Sequence, residues 1–99
     1  MFENILAEIR KELANKDLIK ASILFGSAAR GEAVKGSDID VLIVMSKRNK
    51  RVEDYISNKI LHIEKKYKIN IQYIVADEKF NGINKQFLDT ILREGVIIH

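Results

Sequence analysis

The stretch Asp38-Ile39-Asp40-Val41-Leu42-Ile43-Val44-Met45 constrains the fold more than any other part of the chain. After Asp40 it is apolar without alternation. A strand apolar on both faces has to be covered on both faces, which places it centrally in a sheet with its charged first residues at the rim. Two further stretches read as strands. Leu18 to Phe25 (LIKASILF) is short, apolar and runs straight into Gly26, and Lys68 to Ala76 (KINIQYIVA) alternates Ile69, Ile71 and Tyr73 with Asn70, Gln72 and Ile74. Val96 to Ile98 is expected to add a short edge strand.

The intervening segments carry helical periodicity. Phe2, Ile5, Leu6, Ile9 and Leu13 form one apolar stripe, ending near Asn15. Val52, Ile56, Ile60, Ile63 and Tyr67 form a second, entered through the basic turn Lys47 to Arg51. Ile83, Phe87, Leu88, Ile91 and Leu92 form a third, with Gly95 as its C-cap. One short helical turn is expected over Ala28 to Gly31. Helices alternating with strands make the chain α/β, a small mixed sheet flanked by helices.

The 99 residues leave room for a single domain over 1–99. With no cysteine, disulfides, thiol nucleophiles and thiolate metal sites are excluded, and a reducing cytoplasm fits best. No apolar run approaches the length of a spanning helix, so no membrane role is expected. Seventeen Lys and Arg against 14 Asp and Glu give +3, a mild bias toward polyanions too small to diagnose nucleic-acid binding. The run Lys47 to Arg51 reads as a solvated turn or as a contact for a nucleic acid or acidic partner, and no aromatic residues interleave it. Neither His62 nor His99 has metal-ligand spacing.

Chemistry concentrates where two strands meet polar sequence: Gly26-Ser27-Ala28-Ala29-Arg30-Gly31 leaves one, and Ser37-Asp38-Ile39-Asp40 opens the next. Each alone has an ordinary explanation, a turn in the first case and a cap or Asx-turn in the second. Together they do not. Asp38 and Asp40 project to one side of their strand, roughly 6.5–7 Å apart along it, and would repel unless a cation joined them. Hard oxygen ligands suit Mg²⁺ or Mn²⁺, and magnesium is commonly completed by substrate phosphates, so a nucleoside triphosphate is the expected partner. Gly26 lets backbone approach a phosphate, and Ser27 offers a hydroxyl. Arg30 can pair with phosphate or with a carboxylate that holds the turn together.

GSAARG followed by SDIDVLIV resembles the signature of the DNA polymerase beta nucleotidyltransferase superfamily, and the short chain is similar to its minimal nucleotidyltransferases. The resemblance implies the polymerase beta-like fold, with Gly26, Ser27, Arg30 and Ser37 as nucleotide-binding residues and Asp38 and Asp40 as catalytic metal ligands. It also implies attack of an acceptor hydroxyl on the α-phosphorus of ATP or another triphosphate with loss of pyrophosphate, between two ions about 3.5–4 Å apart. A helical HEPN-type protein partner, as in a toxin–antitoxin pair, or a second copy of the chain, is implied as well. Active members carry a third carboxylate on the next strand, where this chain offers Asn70 and Gln72. Both are neutral amides that cannot act as a base, so a catalytically weak nucleotide-binding or toxin-neutralising module is the rival expectation. Asp77 or Glu78 could substitute only from the wrong end of that strand.

Overall fold

The fold was obtained as a computed structural model, which describes residues 2–14, 17–32 and 38–99. The elements run α1 (Phe2–Leu13), β1 (Ile19–Phe25), α2 (Gly26–Ala29), β2 (Ile39–Met45), α3 (Lys50–Tyr67), β3 (Ile71–Asp77), α4 (Lys85–Glu94) and β4 (Val96–Ile97). The sheet is four-stranded in the order β3-β2-β1-β4. Strand β1 pairs antiparallel with β2 and with β4, while β2 pairs parallel with β3 through the α3 crossover. The mixed α/β architecture expected from the sequence is therefore present.

The all-apolar part of β2 is covered on both sides, as its composition requires. Val41, Ile43 and Met45 pack with Ile5, Ile9 and Leu13 of α1 and Ile56, Ile60 and Ile63 of α3. Leu42 and Val44 face the opposite way and pack with Ala76 and with Ile91 of α4. By strand alternation, Asp40 shares the α4 side.

Boundaries differ from the sequence reading for local reasons. Helix α3 begins at Lys50, inside the expected basic turn, because the Asn49 side chain accepts from the Val52 amide 3.1 Å away and caps the helix. It ends at Lys68, which takes the left-handed conformation at φ 56° and donates its amide to Glu64 O, so β3 starts at Ile71 and not at Lys68. Gly95 does follow α4, but in an extended conformation. A Cβ there would collide with Ile91 O and with Ile23, so glycine is needed for close approach of the helix end to β1. Part of the expected apolar face of α4 remains in solvent, with Phe87 41% and Leu92 51% exposed.

Candidate nucleotidyltransferase site

The two motifs meet at one corner of the sheet. Phe25, the last residue of β1, lies opposite Asp40 in the antiparallel ladder, so the turn that follows β1 rises beside the aspartates that open β2. That turn is the four-residue helix α2, which starts at Gly26, earlier than the helical turn expected from Ala28. Gly26 has φ +74°, and a side chain there would overlap the carboxylate of Asp40. Glycine is required at this point on both counts. Ser27 is half-buried in the same turn, and Glu32 donates its amide to the Ser27 carbonyl at 2.9 Å.

Asp38 and Asp40 are both half-buried. Burial pushes the Asp40 carboxyl above its ordinary range, and the neighbouring Asp38 charge adds to the effect. Because β3 runs parallel to β2, Gln72 sits beside Asp40 in register, and its Nε2 donates to Asp38 Oδ2 at 2.9 Å. Asn70 lies one residue before β3, where its carbonyl accepts from the Ile39 amide. Of the two amides named from the sequence, Gln72 is the one that bonds an aspartate among the described residues. Asp77 is opposite Met45 at the far end of the ladder and is occupied by Lys79 and Asn81.

Arg30 pairs with carboxylates in this structure. Its Nε donates to Glu32 Oε1 at 2.9 Å, and Nη1 reaches Glu94 Oε1 at 3.3 Å, joining the end of α2 to the last turn of α4. Glu94 was not singled out in the sequence. It lies 64 residues from Arg30, and only the packing of α4 brings it there. Ser37 falls outside the described residues.

The donor set fits a hard divalent cation. Two carboxylates spaced to converge, one of them accepting no hydrogen bond from a described residue and seated against a glycine that leaves it room, match what magnesium or manganese takes from protein. Among the described residues, no group of three or more acidic or histidine side chains is placed to hold a metal ion. Also among them, no helix is long and apolar enough to cross a membrane.

The family profile described as nucleotidyltransferase domain matches residues 6–98. The chain belongs to that family. Two relatives in Methanocaldococcus jannaschii, both provisionally named protein adenylyltransferases, are 41% identical over 82% of this chain and 79% of the relative, and 30% identical over 93% of each. Solved structures share the nucleotidyltransferase fold. A tri-AMPylated HEPN toxin from Shewanella oneidensis in complex with its MNT antitoxin aligns with TM-score 0.67 at 14% identity, covering 100% of this chain and 72% of that one. A toxin–antitoxin complex with AMP-PNP aligns with TM-score 0.69 at 14% identity, covering 100% and 73%. A structure provisionally described as a minimal nucleotidyltransferase aligns with TM-score 0.62 at 22% identity, covering 95% and 85%. The chain is thus a nucleotidyltransferase, and its motif corner lies within the segment that the family profile matches.

Proposed function

We propose that this nucleotidyltransferase transfers AMP from ATP to a hydroxyl of a partner protein, with the antitoxin half of a HEPN-type toxin–antitoxin pair as its setting. The observation that carries the reading is the corner itself, where the Asp40 carboxylate lies against Gly26 at the ends of adjacent strands and Asp38 is close enough for its charge to act on Asp40. The adenylyltransferase names of the relatives and the AMPylated toxin of the structural neighbour support the choice of nucleotide and acceptor.

Gly26 and Ser27 cradle the triphosphate, the first by open backbone and the second by its hydroxyl. Asp38 and Asp40 hold Mg²⁺ or Mn²⁺, which when bound supplies positive charge to the phosphates and the departing pyrophosphate. The acceptor oxygen attacks the α-phosphorus, the bond to the bridging oxygen of the β-phosphate breaks, pyrophosphate leaves and the acceptor proton passes to water. Arg30 holds the phosphate turn in place through Glu32 and Glu94. Ser37 opens the second motif and is assigned to the nucleotide, and the cysteine-free composition fits a reducing cytoplasm.

The test is incubation with Mg²⁺, labelled ATP and the product of the neighbouring gene. Label on the partner and released pyrophosphate are expected from the wild type and neither from Asp38→Ala or Asp40→Ala. Metal-dependent ATP binding without transfer would favour a nucleotide-binding, toxin-neutralising module instead, a second reading motivated by the neutral Gln72 beside the aspartates.

A further inference from the structure

We propose that Gln72 is a positioning residue that orients Asp38 and keeps the carboxylate pair one negative charge short, so that the divalent cation is taken up together with the triphosphate instead of being held by the protein alone. The proposal rests on the nucleotidyltransferase reading above and specifies how that site is loaded. Gln72 is exposed, so packing does not explain where its amide points. Its place is set by the parallel register that puts it beside Asp40, and its Nε2 donates to Oδ2 of Asp38 at 2.9 Å. A hydrogen bond to an ionised acceptor is among the stronger kinds and fixes the plane of the carboxylate. One Asp38 oxygen is thereby engaged, and among the described residues no side chain donates to the other.

The same amide brings no charge to the cation. Two carboxylates and a neutral neighbour form a weak cage for a magnesium ion, which gives up its water reluctantly and commonly depends on substrate phosphates to complete its shell. The triphosphate then contributes the missing negative charge, and free protein does not retain the metal between turnovers. A carboxylate at position 72 would reverse this, because cation affinity rises with the number of charged ligands.

The test is a titration of the full chain with Mn²⁺ alone, free Mn²⁺ being read by electron paramagnetic resonance, repeated with a non-hydrolysable ATP analogue. Gln72→Glu is expected to bind Mn²⁺ without nucleotide about tenfold or more tightly than the wild type. Gln72→Ala, which removes the donor and adds no charge, is expected to bind Mn²⁺ alone no more tightly, yet to lose about tenfold in affinity for Mn²⁺ with the analogue. The Gln72→Ala arm tests the positioning role, because a side chain that did not orient Asp38 could be removed without that loss. If Gln72→Glu gains nothing while the wild type binds Mn²⁺ with the analogue, the proposal falls and the nucleotidyltransferase site stands. A wild type that behaves like Asp40→Asn and binds neither overturns both.

Discussion

Gly26 and Asp40 share a space that only glycine at position 26 leaves open, because the Cβ of any larger residue there would fall on the Asp40 carboxylate. Strand pairing brings them together: Phe25 is the ladder partner of Asp40, and Gly26 is the next residue along. The glycine turn and the start of β2 are in this sense one object.

Gly26→Ala is accordingly expected to disable transfer while leaving a folded protein. A left-handed alanine costs about 1–2 kcal/mol, a modest loss of stability. The displaced carboxylate should lower the transfer rate by about 10²-fold, the scale associated with ångström misplacement of a reacting group. Initial rates with labelled ATP and a thermal melt of the same sample check both.

Asp40→Asn should move stability and activity in opposite directions. The Asp40 charge is disfavoured by burial and by Asp38, so neutralising it relieves the metal-free protein at neutral pH and a higher melting temperature is expected. Metal-dependent nucleotide binding and label transfer should be lost in the same variant. A melting temperature unchanged or lowered at pH 7 would contradict the electrostatic account.

The pair Glu8 and Lys66 provides a pH signature remote from the site. Lys66 Nζ lies 2.9 Å from Glu8 Oε1, tying α1 to α3, and this contact holds the Glu8 carboxyl below its ordinary value of 4.5. A depressed carboxyl means that the unfolded chain binds the proton more readily, so the stabilisation is present above about pH 4.5 and is lost as pH falls through the lower folded value. Glu8→Gln should therefore unfold more easily than the wild type at pH 7, by no more than about 1 kcal/mol as for other surface pairs. The two proteins should converge in strong acid, which denaturant curves at pH 7 and pH 3 would reveal.

Arg30 and Glu94 should behave as a coupled pair. Each of Arg30→Ala and Glu94→Gln is expected to change global stability little, given their exposure. Both should raise the KM for ATP, since each releases the turn proposed to cradle the phosphates, and the double variant should add little to Arg30→Ala alone. Fully additive effects on KM would mean that Glu94 acts without Arg30.

Much of this was legible in the chain, for identifiable reasons. The DIDVLIVM run could only be a doubly covered strand, and that one inference placed the aspartates at a rim. A helix between two apolar strands is compatible with a parallel crossover, and it is the crossover seen in the structure that sets Gln72 beside Asp40. What stayed hidden depended on side-chain reach or on local caps. Nothing in the sequence singles out Glu94 as the partner of Arg30, or Gln72 over Asn70 as the donor to Asp38, because both choices are made by how α4 and β3 dock. Lys68 was read as strand because a left-handed lysine at a helix end leaves no compositional trace where glycine would.

The double coverage of β2 has a dynamic consequence. Val41, Leu42 and Ile43 are fully buried, with helices on both faces and paired strands on both edges, so their amides should exchange with deuterium only when the whole molecule opens. The acidic pair is attached to the start of this slow-exchanging segment, whereas the glycine turn opposite is a four-residue helix with no side-chain cap. Isotope exchange should thus divide the corner into a stationary anvil that presents the carboxylates and a faster-exchanging turn across from it.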